Sequence, residues 1–201
     1  MRSSLLLMFF WSLGLLFQQS DLWQHVSADP GPSGLRDTTR SPEQLGMVRR
    51  ALAARVQSDN WPCAQGEEPD WADKVTFYDL PVSKTDEVLL VQAGAGCARG
   101  GQGANGAMWL VHFKNGKPIF LATPQQKFNG WLYSIQPSTS HGYRDVVLGW
   151  HMNAGEADLT YFRFDGTSYQ VRGRAQLLTG DGGVVRIVPI PAEATRPQSR
   201  K

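Results

Sequence analysis

From Val75 onward the chain uses one arrangement twice, and this repeat limits its possible folds more than any other feature. Asp86-Glu87-Val88-Leu89-Leu90-Val91 returns in type as Arg144-Asp145-Val146-Val147-Leu148-Gly149. Downstream, Trp109-Leu110-Val111-His112-Phe113-Lys114-Asn115-Gly116 aligns at constant offset with Leu159-Thr160-Tyr161-Phe162-Arg163-Phe164-Asp165-Gly166. Both units run acidic residue, apolar strand, Gly/Ala-rich loop, long strand, Gly-containing turn and strand. Short β-branched and aromatic runs at 75–78, 88–92, 109–113, 119–122, 132–136, 146–150, 159–164, 169–172 and 184–188 read as strands, because Gly, Asn, Asp and Pro punctuate them. Asn115-Gly116 and Asp165-Gly166 accept positive φ at low cost and predict hairpin turns. Two units cannot close a propeller, which takes at least about four blades. The expected fold is mainly β with one N-terminal helix, an antiparallel β-sandwich or half-open barrel built from two meander repeats.

The helix is predicted over residues 42–58. Ser41 and Gln44 form a capping-box pair, and Pro42 takes the first helical position. Leu45, Val48, Leu52 and Val56 then recur at spacings of three and four, giving one apolar stripe that expects a core. Residues 29–40, rich in Pro, Gly, Ser and Thr, read as a flexible lead-in. Residues 41–191 are expected to form a single β-rich domain that Pro189-Ile190-Pro191 ends, and 192–201 a disordered tail.

Residues 1–28 have the layout of a secretory signal peptide. Arg2 precedes an apolar run from Leu5 to Phe17, and Val26-Ser27-Ala28 places small residues before a cut at Asp29. On that reading Trp11, Trp23 and His25 leave with the leader, and the protein is periplasmic or secreted, with no membrane contact after cleavage. An uncleaved anchor is the alternative, since Ser3–Ser20 is uncharged and reaches the lower limit of about 18 residues for a span. In an oxidising compartment Cys63 and Cys97, the two cysteines of the chain, are expected to form a disulfide. Closing that loop would stabilise the fold by about 3–4 kcal/mol.

The formal charge of +2, with basic residues scattered except in the tail, argues against nucleic acid as a partner. Gly142-Tyr143-Arg144-Asp145-Val146-Val147-Leu148-Gly149 resembles the Gly-x-x-Asp-apolar core of the FG-GAP repeats in integrin-type propellers. Ser138-Thr139-Ser140-His141 stand where those repeats carry an Asp-rich calcium loop, so the resemblance does not imply calcium. Val91-Gln92-Ala93-Gly94-Ala95-Gly96 and Trp150-His151-Met152-Asn153-Ala154-Gly155 resemble the strand-to-loop passage of the periplasmic inhibitors of invertebrate-type lysozyme. That resemblance implies a β architecture with protruding loops, and neither stretch carries the Ser and Tyr of the inhibitory loop.

Candidate sites are few. Gly101-x-Gly103-x-x-Gly106 has the spacing of a dinucleotide fingerprint but is followed by a strand pattern, so no nucleotide cofactor is expected. The Gly-rich loop instead offers Arg99 and Asn105 at its tip for a partner. Asp145 and His151 share one face of a strand but lie about 20 Å apart if it is extended. With His141, Glu156 and His112 they do not make a metal site on spacing alone, and no metal is expected. Glu67, Glu68, Asp70 and Asp73 surround Trp71; paired carboxylates could serve glycoside hydrolysis, but a solvated loop is the plainer reading. Trp109 and Trp150 sit in repeat strands and are expected in the core. Trp61, Trp71 and Trp131 flank turns, where an exposed indole could stack on a sugar or anchor an interface; Trp71 and Trp131 join Arg99 and Asn105 as candidate binding residues. No catalytic residue is assigned. The expected function is an exported, non-enzymatic binding or inhibitory module facing an envelope or extracellular protein or glycan. An envelope hydrolase and a purely structural envelope protein are the alternatives.

Overall fold

The computed structural model describes residues 21–29, 35–58, 71–93, 105–180 and 185–191. Cys63, Cys97 and the expected tail lie outside them. The chain is mainly β, with one long helix, α1 (Pro42–Ser58), that starts and stops where its cap and stripe place it. The Gln44 backbone N–H donates to Ser41 Oγ at 3.3 Å, and the Ser41 N–H donates to Gln44 Oε1 at 3.4 Å, so the capping box forms in both directions.

The strands are β1 (Arg36–Asp37), β2 (Thr76–Leu80), β3 (Val88–Gln92), β4 (Gly106–Lys114), β5 (Lys117–Ala122), β6 (Asn129–Ser140), β7 (Tyr143–Asn153), β8 (Glu156–Phe164), β9 (Tyr169–Thr179) and β10 (Val185–Ile190). They form one antiparallel sheet in the order β1-β2-β3-β4-β6-β7-β8-β9-β10, with β5 paired to β4, and the sheet does not close. The repeat is visible in it: β3, β4 and β5 form one meander, and β7, β8 and β9 form the other. β10 continues through Pro189 to Ile190, further than the Pro-Ile-Pro signal suggests. Among the described residues it pairs with β9 alone, and an edge strand tolerates the missing N–H of proline.

The two halves meet at β4. Its C-terminal part, Val111–Lys114, pairs with β5, while Gly106 and Ala107 at its start pair with Gly130 and Asn129 of β6. Their inner faces bury Leu90, Met108, Leu110 and Leu121 against Val146, Leu148, Phe162, Phe164 and Tyr169, with Phe128 of the connecting segment between them. On the outer face of the first half α1 packs Val48, Leu52 and Val56 over Phe77, Leu89, Val91 and Trp109. Arg49 and Arg55 at the margins of the stripe lie over the rings of Phe77 and Phe120, at 5.0 and 5.5 Å.

The outer face of the second half is covered by residues 21–29, which the leader reading removes. Trp23 and Val26, 5% and 7% exposed, pack with Tyr133, Val147, Leu159, Tyr161 and Ala175. Burial and the nearby Asp29 carboxylate push the Tyr133 phenol up to about 12, which keeps it a hydrogen-bond donor. Its one proton is shared between the carbonyls of Ser27 and Ala28, which lie at 2.7 and 3.0 Å.

Turn chemistry fixes the registers. Asn115 and Gly116 both take positive φ, 52° and 73°, as the Asn-Gly signal requires, and His141-Gly142 repeats this at 50° and 83° between β6 and β7. Gly130, at φ 107°, is needed for a second reason: a Cβ there would overlap the Gly149 carbonyl, and one on Gly149 would overlap the Trp131 indole. Gly130→Ala is therefore expected to cost at least about 2 kcal/mol and to lower the thermal midpoint by several degrees. An unchanged midpoint in thermal unfolding would show that this close approach is not made.

Candidate functional site

Of the candidate binding residues, the structure brings Asn105 and Trp131 to the same stretch of β7, at His151 and Gly149. Arg99, Glu67, Glu68, Asp70 and Trp61 lie outside the described residues, and Asp73 sits in the short 3-10 turn Trp71–Lys74. Trp71 is buried, 6% exposed, with its ring stacked on Trp109 at 6.1 Å, so it is a core residue with no face left for a ligand. Asn105 is a structural clamp: its amide donates to the His151 carbonyl at 2.9 Å and accepts from the His151 N–H at 2.7 Å. Trp131 is half-buried, its indole laid over Gly149. Trp109 is in the core as expected, 1% exposed, but Trp150 is not, at 37%.

Trp150 is exposed because the inner face of the second half extends beyond the first. Val146 and Leu148 on β7 point into the inter-sheet core, and alternation puts Trp150 on the same side. Asp158 stands opposite Trp150 across the β7–β8 pair, Thr160 opposite Arg174 across β8–β9, and Arg174 opposite Ile190 across β9–β10. Together with Lys127 and Asn129 from the connection between the halves, these residues line a groove of about 540 Å³. An indole thus sits beside an amide, a hydroxyl, a carboxylate and a guanidinium. Among the described residues none of these four polar side chains has a hydrogen-bond or ion-pair partner within the protein. Lys127 and Arg174 against Asp158 leave the lining one positive charge in excess.

A second cleft, about 490 Å³, opens between β1, the end of β2 and the turn into β3. Its polar groups are largely committed. Arg40, with 8% of its side chain exposed, holds Glu87 at 2.6 Å and lies 4.5 Å over the Phe113 ring. Asp79 accepts from the Thr38 hydroxyl at 2.9 Å. Asp86 accepts from the Tyr143 hydroxyl at 2.7 Å, and His112 Nδ1 lies 3.2 Å from the same hydroxyl. Tyr143 has one proton to give; placed on Asp86, it leaves the phenol oxygen to accept from His112 Nδ1–H. Burial, then this bond and the Asp86 charge, raise the Tyr143 phenol far above its ordinary value. Ser83 Oγ accepts from the Thr85 and Asp86 backbone N–H groups at 3.2 and 3.0 Å. In the hydrogen-bond chain Asp86 and Tyr143 separate Ser83 from His112, so no Ser–His pair forms. The network instead ties the β2–β3 turn to the start of β7, where the Arg144 N–H also donates to the Val82 carbonyl at 2.6 Å.

Asp145, the acid of the second repeat unit, is fully buried, and its position makes it structural too. It accepts from the hydroxyls of Ser138 and Tyr161 at 2.8 and 2.9 Å, and Arg163 holds it at 2.8 Å. The guanidinium occupies the place a cation would need, and among the described residues no group of three His, Cys, Asp or Glu side chains could hold a metal.

Comparison with protein-family models, with curated proteins and with solved structures finds no match.

Two consequences of this geometry can be measured. Burial, outweighing the Asp86 charge, holds His112 below the ordinary 6.5, with Lys114 adding to the effect. The unfolded chain then takes up the proton first, so the stabilisation is complete above pH 6.5 and is lost as pH falls through the folded value. Denaturant unfolding between pH 7.5 and 5 should show that loss shrink in His112→Asn, and the His112 ring should titrate by NMR below 6.5; a midpoint above it contradicts this environment. Arg163→Met, which strands the buried Asp145 carboxylate, should cost about 3 kcal/mol, and an unperturbed denaturation midpoint would refute that pairing.

Proposed function

We propose that this protein is an exported, non-enzymatic binding module whose groove at Trp150 takes a segment of envelope glycan. The observation that carries the reading is an exposed indole on a strand face that is otherwise core, ringed by polar groups with no internal partner. A sugar ring presents an apolar C–H face and a rim of hydroxyls. The first matches the flat apolar surface of an indole, and the second suits the planar groups of Asn129, Asp158 and Arg174. The groove is partly open to solvent, which leaves room for a chain to pass through it. Its excess positive charge favours neutral or acidic sugars over basic ones.

Binding rather than hydrolysis is the better fit. Paired-carboxylate chemistry needs two carboxyl groups flanking the bond, and Asp158 is the one carboxylate among the described lining residues. The export half of the proposal rests on the leader pattern of the first residues.

Calorimetry against a panel of neutral, N-acetylated and acidic oligosaccharides tests the proposal. Trp150→Ala is expected to weaken the bound sugar by about tenfold or more, equivalent to about 1.4 kcal/mol. At 37% exposure the indole still buries most of its surface, so the thermal midpoint should fall by only a few degrees while the fold is kept. Equal affinity in the variant, or no binding across the panel, would reject the groove as a glycan site.

A further inference from the structure

We infer that residues 22–29 are a permanent strap of the folded domain, so that any leader cleavage falls before Leu22 and not after Ala28. This bears on processing and display, and it stands or falls independently of the glycan groove.

The strap is built into the sheet rather than laid against it. Trp23 meets the Tyr161 ring edge-on at 5.8 Å, and Val26 enters the same cluster. The position beneath Trp23 is Gly173 on β9. A Cβ there would lie 3.3 Å from the indole Nε1 and 3.4 Å from Leu22 Cδ1, so the strand has a side-chain-free slot where the strap crosses it. Tyr133 then holds the carbonyls of Ser27 and Ala28, the second of which belongs to the peptide bond that a cut before Asp29 would hydrolyse. Ser27 and Asp29 close a local turn, Ser27 Oγ donating to the Asp29 carbonyl at 2.6 Å. Removing 21–28 would uncover Tyr133, Leu159, Tyr161 and Ala175 together, on the outer face of the second half. Contiguous apolar exposure of that kind is uncommon on a soluble domain unless something binds it. One cost stands against it: the buried Trp23 indole N–H has no acceptor among the described residues, which the apolar packing of the strap must outweigh.

The strap also orients the molecule. Trp23 lies on the face of Leu159, Tyr161 and Ala175, whereas Trp150, Thr160 and Arg174 lie on the opposite one. In the sequence the apolar run Leu5–Phe17 lies a few polar residues before the strap. A chain that kept it would be tethered by the strap face, with the groove turned away from the membrane.

The test uses the full chain with a C-terminal tag, expressed with its own N-terminus, purified from cells and measured by intact mass. A mature N-terminus at or before Leu22 supports the strap, and one C-terminal to Leu22 overturns it. A double-mutant cycle checks the packing itself. Gly173→Val should lower the thermal midpoint by at least 5 °C or so in the parent, because it displaces Trp23, and by less than half as much in a Trp23→Ala background. An equal effect in both backgrounds would mean that Trp23 does not occupy the Gly173 slot.

Discussion

The rest of the structure depends on the core between the two halves of the sheet, where Leu90, Met108, Leu110 and Leu121 of the first half pack against a group of rings from the second half and the connecting segment. Phe128 meets Phe162 at 5.1 Å, Tyr143 meets Phe164 at 4.4 Å, and Tyr169 closes the group against Phe128, Tyr143 and Phe164. Tyr169, fully buried, still satisfies its hydroxyl by donating to the Arg144 carbonyl at 2.8 Å. Rings of this size bury more apolar area than any aliphatic alternative, so they set how the halves sit. A meander used twice has two inner faces to hide, and packing them together hides both where they overlap. The second half has the longer strands, β6 to β9, and its inner face overruns the first. The uncovered remainder is the Trp150 groove. The candidate site is thus a product of unequal repeats.

The outer faces have separate solutions. The first half is sealed by α1, with Trp71 wedged against Trp109, and the second by residues 21–29. Between these layers the charged groups act as fasteners. Glu87 in the first unit and Asp145 in the second occupy matched positions at the start of β3 and β7, and each is held by an arginine, Arg40 and Arg163. The burial differs greatly: Glu87 is exposed and Asp145 is not. Exposed pairs contribute little to stability, whereas a buried carboxylate deprived of its partner is costly, so the second pair matters more to the fold.

Much of the fold was legible in the sequence because it is written in local patterns. The Ser41–Gln44 cap, the 45-48-52-56 stripe and the Asn115-Gly116 turn each specify their own geometry within a few residues. The site was legible only in part. Alternation correctly put Trp150 on the side of Val146 and Leu148, but whether another layer covers that side depends on strand lengths in the other half. Trp71 failed as a binding candidate for the same reason, since its partner Trp109 is remote in sequence. Asn105 stands out in the sequence by its loop position, and its engagement with His151 follows from register between distant strands. The Trp23 contact competes with a leader pattern that is itself strong, and composition cannot show that Gly173 leaves room for an indole.

On the proposed reading, the uncovered end of the second half's inner face is a binding surface. Its most direct test is an NMR titration of the isotope-labelled protein with envelope oligosaccharides, following the tryptophan indole N–H signals and the backbone amides. The account predicts that the Trp150 indole signal moves first, with Asn129, Asp158, Thr160 and Arg174, while signals from α1 and Trp23 stay in place. Shifts centred on the cleft near Asp86, or on the outer faces, would contradict it.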